Sequence, residues 1–242
     1  MFLRPCISRA LLPASKMSVT ITQTAGLKEF QPPPKFENIE FPEKRKLQML
    51  QKVPVYPPTM RAFKMQKRLR YMRGPETLHK DFLHKQYGVI ALGGGRLRHG
   101  HLEMIRNTLG RNLDTSRMFA IWRVDAPWQP LTKKGQGQRM GGGKGAIDHY
   151  VTPIKAERVI FEVGGDCEFF ELKKILNQIA GQLPFQAMAL TYQDLLKRRE
   201  QEAKIAQENQ NPWTMKYIIQ NNLSGCHNWI SPKDKLWFGK YR

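Results

Sequence analysis

The stretch Lys133-Lys134-Gly135-Gln136-Gly137-Gln138-Arg139-Met140-Gly141-Gly142-Gly143-Lys144-Gly145 divides this chain into two strand-rich halves and sets what they must support. Its thirteen residues hold six glycines and four positive charges, with no acidic residue from position 127 to position 147. A backbone without Cβ atoms can lie against a phosphate surface and point its amides there. A mobile surface loop is the competing reading. The one-sided charge and the apolar runs at both ends favour a held, phosphate-facing loop.

On the amino side, residues 87–92 (Tyr-Gly-Val-Ile-Ala-Leu) have the content of a buried strand, which Gly93-Gly94-Gly95 ends. Leu102, Ile105, Leu109 and Leu113 then recur at helical spacing, with Arg106 and Arg111 off the stripe. Residues 118–124 make a second strand. On the carboxyl side, 149–154 and 158–163 are two short strands joined by Lys155-Ala156-Glu157, expected as an antiparallel hairpin. Leu172, Ile175, Leu176, Ile179 and Leu183 mark a second amphipathic helix, and 185–192 a last strand. This order predicts an α+β domain over 82–192, a mostly antiparallel sheet with two packed helices, whose roughly 110 residues suffice for one core.

Spacing excludes two nucleotide-binding loops. A Walker loop with Lys144 as its lysine needs glycine at Gln138 and a hydroxyl at Gly145. Neither is present. Gly93-Gly94-Gly95 lacks the Gly-x-Gly-x-x-Gly pattern and has no acidic residue about twenty positions on.

The 242 residues carry 40 Lys and Arg against 20 Asp and Glu, a formal net charge of +20. An excess of that size repels itself in a free compact protein and implies a polyanionic partner, nucleic acid ahead of an anionic membrane surface. No run of about eighteen apolar residues exists to span a bilayer. Cys6, Cys167 and Cys226 form no C-x-x-C pair, and His99 and His101 have no third ligand nearby, so neither a metal nor a cofactor is expected.

Residues 1–29 begin with Arg4, Arg9, Lys16 and Lys28 interleaved with serines, and Leu3, Ile7, Leu11 and Ala14 fall on one side of a helix. That is the pattern of a mitochondrial transit peptide, with a disordered basic tail as the alternative. Residues 30–81 read as an extended arm, broken by Pro32-Pro33-Pro34, Pro42, Pro54 and Pro57-Pro58. Between positions 44 and 73 there are ten Lys or Arg and no acid, with Tyr56, Phe63 and Tyr71 interspersed, which favours an arm laid along RNA. Residues 193–242 read as a solvated helix over 194–209, then a tail of Trp213, Trp229, Trp237, Phe238 and Tyr241 among lysines. Its aromatics suit bases or a protein neighbour equally.

Gly93-Gly94-Gly95-Arg96-Leu97, Phe119-Ala-Ile-Trp122-Arg123-Val124 and Arg139-Met140-Gly-Gly-Gly-Lys144-Gly145 before Tyr150-Val151 resemble the family of large-subunit ribosomal protein sixteen over about residues 82–191. The run from Ala146 to Pro153 looks like its animal mitochondrial members. The resemblance implies a sheet with two helices and a hammerhead-like β extension carrying the basic loop. It also implies large-subunit rRNA as partner, near the aminoacyl-site tRNA, and an architectural and tRNA-positioning role in which the RNA does the chemistry. In some bacterial members the arginine matched by Arg139 is hydroxylated. This chain departs from the bacterial pattern at Gly142, where lysine is common, loosely before position 82, and wholly after 192, where neighbouring mitochondrial ribosomal proteins are the expected partners.

The expected rRNA contacts are Arg96, Arg98, Arg106, Arg111, Lys133, Lys134, Arg139 and Lys144, with Met140, Gly141, Gly142, Gly143 and Gly145 allowing close approach. No catalytic residue is expected. Two rivals stand beside this reading: an enzyme acting on RNA, which Asp148 and His149 beside the loop would serve, and a free regulatory RNA-binding protein. Adjacent residues on a regular strand face opposite ways, which tells against that pair as an acid and base.

Overall fold

The computed structural model describes residues 39–66 and 68–241, so the expected leader over 1–29 lies outside the described residues. The elements run β1 (Tyr87–Ala91), β2 (Gly95–Arg98), α1 (His99–Asn112), β3 (Met118–Trp122), β4 (Gln129–Lys133), β5 (Ala146–Ile154), β6 (Val159–Gly165), α2 (Phe169–Gly181), β7 (Ala187–Thr191), α3 (Tyr192–Glu208), α4 (Met215–Gln220) and α5 (Pro232–Trp237). They form an α+β fold with two sheets, ordered β3-β6-β1-β7 and β2-β5-β4. All pairings between these strands are antiparallel.

The helical stripes go where their spacing points. Leu102, Ile105 and Leu109 of α1 and Leu172, Leu176 and Ile179 of α2 enter one core with Val89, Ala91, Phe161 and Val163 of the larger sheet. A fully buried leucine or isoleucine contributes roughly 1.5–3 kcal/mol by transfer from water. Ile90, Val159 and Leu190 instead meet Phe82 and Leu195 of α3 in a second cluster. Strand β1 is therefore covered on both faces, which is why its sequence is a continuous apolar run.

The expected hairpin of 149–154 with 158–163 does not form. Strand β5 pairs with β2 and β4, while β6 pairs with β1 and β3, so each already has two neighbours and the two lie in different sheets. The connection is fixed rather than loose: Ala156 is fully buried, Glu157 takes φ +68°, and the Glu157 amide donates to the Ala91 carbonyl at 2.7 Å. Strands β2 and β4 were also not expected. Pro130 is tolerated because β4 is the edge of its sheet, where a missing amide can face outward.

The carboxyl-terminal extension folds back on the chain's own segment 73–81. Arg199 bonds Asp81 at 2.6 Å and the Lys80 carbonyl at 3.1 Å. The Trp237 ring occupies the space a Cβ on Gly74 would need. Trp213, Trp229 and Leu236 remain exposed.

One charge sits inside the larger sheet. Glu162 of β6 is 1% exposed and accepts from the amides of Leu83 at 2.9 Å and His84 at 3.1 Å, with Arg123 2.9 Å away. It pins the entry to β1 onto the sheet. Glu162→Leu leaves two amides and a guanidinium without their acceptor and is expected to destabilise the chain by about 3 kcal/mol in denaturant unfolding. A loss below about 1 kcal/mol contradicts this role for the carboxylate.

Candidate nucleic-acid interface

Strands β4 and β5 run together to the pair Lys133 and Ala146, and residues 134–145 project from their end. The root is tight. A Cβ on Gly145 would overlap the Lys133 carbonyl of the opposing strand, so glycine there is dictated by the fold. The tip is the opposite case. Gly142 has a φ open to any residue, and the nearest atom to an added Cβ is the Arg139 carbonyl oxygen at 3.9 Å. Nothing within the described residues requires glycine at that position.

Inside the loop, Lys134 donates to the Arg139 carbonyl at 3.2 Å, and the Gly143 amide bonds the Gly141 carbonyl at 2.8 Å. At the root, Lys144 donates to the Met65 carbonyl at 2.6 Å, while Lys64 donates to the Lys144 carbonyl at 3.1 Å. The arm therefore straps the loop. Lys134 and Lys144 commit part of their donor capacity to the protein. Arg139 is exposed, and its guanidinium makes no hydrogen bond or ion pair among the described residues; Met140 beside it is 93% exposed.

The other expected contacts fall in two places. Arg96 and Arg98 lie on β2, opposite Pro153 and Val151 of β5. Arg98 is exposed, but the Nε and Nη2 of Arg96 are enclosed without a hydrogen-bond partner among the described residues, so Arg96 is half buried rather than presented. On α1, Arg106 holds Glu103 through two bonds of 3.1 and 2.7 Å. That bond lowers the Glu103 pKa and raises that of Arg106, so this guanidinium stays charged and is already paired with a carboxylate. Arg111 is exposed in the last turn of α1.

Residues Asp148 and His149 correct the alternation rule. Leu131 stands opposite His149 and Thr132 opposite Ile147, so Asp148 is the extra residue of a β-bulge. The bulge sets the two side chains together, Nδ1 to Oδ2 at 2.7 Å. The His149 hydrogen bond, with the charges of Lys133 and Arg98 behind it, holds the Asp148 carboxyl below its usual range. His101 accepts from the Arg98 amide at 3.1 Å, and burial followed by the Arg98 charge lowers its pKa and keeps it a neutral acceptor. Among the described residues no three His, Cys, Asp or Glu side chains gather as a metal site.

The chain resembles known proteins across this region. The family model described as ribosomal protein L16p/L10e matches residues 58–190, more than half of the chain. Large ribosomal subunit protein uL16 of Neorickettsia sennetsu is 39% identical over 101 residues, covering 41% of this chain and 70% of that relative. The family match begins upstream of position 82 and so takes in Lys64 and Met65, the segment that straps the loop.

Two alanine substitutions separate what the fold needs from what a partner needs. Gly145→Ala is expected to loosen the β4–β5 hairpin by about 1–3 kcal/mol, read as faster amide exchange over 129–133 and 146–150. Gly142→Ala is expected to change stability by less than about 0.5 kcal/mol. Equal exchange in both variants contradicts the division between root and tip.

Proposed function

As the chain belongs to the ribosomal protein L16p/L10e family, we propose that it works as a structural, non-enzymatic constituent of the large ribosomal subunit, holding large-subunit rRNA with the strapped basic loop and the β2 corner. The observation that carries the reading is the loop itself: six glycines, four positive charges, no acid, and at its tip an Arg139 guanidinium without a partner among the described residues. Exposed cations contribute little singly, but counterion release makes their sum large and steeply salt-dependent. Arg98, Lys133 and Arg139 are the primary phosphate contacts, Arg111 a separate contact on α1, and Lys134 and Lys144 shape the loop as well as charging it. Arg96 and Arg106 contribute through residual donors, since one is enclosed and the other paired. Met140, Gly141, Gly142 and Gly143 let backbone approach RNA closely.

The β4–β5 hairpin and its loop act as a hammerhead-like extension reaching toward the aminoacyl-tRNA site, where the chain supports tRNA positioning and subunit assembly. The setting is the mitochondrial ribosome, a reading supported by the basic, acid-free run of residues 1–28 within the leader expected over 1–29. Residues 30–81 serve as the arm, 82–192 as the RNA-binding body, and 193–242 as an extension whose exposed Trp213 and Trp229 face neighbouring ribosomal proteins. Among the described residues no helix is long and apolar enough to cross a membrane.

Binding of the full chain to transcribed large-subunit rRNA is expected to fall steeply with salt, with a log–log slope of about 0.7–0.9 per phosphate contact. Arg139→Ala should reduce that slope by about one contact and impair subunit assembly, with unchanged thermal unfolding. Salt-independent binding, or Arg139→Ala binding with the wild-type slope, overturns the proposed contacts.

A further inference from the structure

Between the arm and the corner where β2 meets α1 lies a cleft of about 700 Å³. That volume is in the range of small-ligand pockets, roughly 300–1,000 Å³. Lys52 on the arm and Arg98 on the corner give it a cation from each side. The carboxylate on its wall, Asp148, is occupied by His149 and shadowed by Lys133 and Arg98, so the cleft is positive overall. Its apolar surface comes from Val53 and Ala62 of the arm and Ile147 of β5, and its flat groups are the His99 ring, held at the Leu50 carbonyl, the His149 ring, fixed by Asp148, and Tyr150, which meets Tyr56 of the arm. Cations flanking apolar and flat side chains are what an unstacked nucleotide meets in single-stranded RNA recognition, where bases stack on aromatic or imidazole rings and cations hold the phosphate.

We infer that this cleft seats one unstacked nucleotide of the rRNA that the loop contacts, an inference that rests on the RNA-binding reading above. Position ties the two together: His149 stands four residues along the chain from Gly145, at most about 13 Å at the rise of a strand and less with the bulge at Asp148 between them. A loop gripping phosphates at its tip and a cleft holding a base at its root would fix both the height and the rotation of the hairpin on the RNA. Backbone contacts alone position a protein on RNA but do not read a particular nucleotide.

Gly100 supplies the test. It lines the cleft in the first turn of α1, its φ is open to any residue, and an added Cβ meets nothing within 4 Å. Gly100→Met therefore fills the cleft while improving helix propensity. Full-length wild-type and Gly100→Met chains are assembled into large subunits and ultraviolet-cross-linked, and nucleotide adducts are mapped by mass spectrometry. Affinity for transcribed large-subunit rRNA is measured in parallel.

The expected result is an RNA adduct on the peptide spanning 146–154 in wild type, absent in Gly100→Met, with about tenfold weaker rRNA binding, an unchanged melting midpoint and retained adducts on 133–145. Loop adducts without a cleft adduct, or a cleft cross-linked to a neighbouring protein, overturn this inference and leave the RNA-binding reading standing. Adenosine and uridine monophosphates, titrated separately, saturating the cleft as tightly as the rRNA identify a free nucleotide and overturn it as well. Absence of RNA adducts from both peptides defeats the underlying reading instead.

Discussion

Lys144 donates to the Met65 carbonyl while Lys64 donates to the Lys144 carbonyl, and this crossed pair of bonds, 79 and 80 residues apart in sequence, decides where the basic loop stands. Both ammonium groups are exposed, so each bond contributes less than the 1.5–3 kcal/mol typical of a buried charged hydrogen bond. Their effect is geometric. With Gly145 pressed against Lys133, the loop leaves the hairpin in one direction, and the described residues bond its tip only from within the loop, through Lys134 to the Arg139 carbonyl and the Gly143 amide to the Gly141 carbonyl. A root held by the rest of the protein and a tip whose guanidinium has no partner among the described residues is the arrangement that a fixed external surface can complete.

The distribution of acids explains why the positive surplus gathers there. The chain has 20 acidic residues for 40 basic ones, and several are spent inside the body: Glu162 on backbone amides and Arg123, Glu103 on Arg106, Glu171 on Arg117. None falls in positions 44–73 or 127–147, the two segments that meet at the strap. Strap and loop thus place like charges side by side. Such a patch is stable in water only while screened, and gains on meeting a polyanion.

Much of the body was legible because its signals are local. The spacing of Leu102, Ile105 and Leu109 and of Leu172, Leu176 and Ile179 gave both helices and their buried faces, and the apolar run of β1 marked a strand covered on both sides. What failed was pairing. Adjacent apolar runs look alike whether they pair with each other or enter separate sheets, so β5 and β6 read as a hairpin. Strand β4 was hidden by Pro130, and β2 by its four-residue length between glycines and a helix.

In the candidate site, composition located the loop but could not find its strap, a contact between residues 80 apart. The bulge at Asp148 was equally invisible, since alternation assumes a regular strand. Glu162, one acid within an apolar strand, was a readable signal that was passed over. The central claim, that the unengaged tip faces polynucleotide, is tested most directly by placing a hydroxyl-radical source on it. A Met140→Cys, Cys6→Ser chain carrying tethered iron is assembled into large subunits, with Leu196→Cys, Cys6→Ser on α3 as the comparison. The account predicts one compact group of large-subunit rRNA cleavages from position 140. Cleavage no stronger or more localised than from position 196 would contradict it.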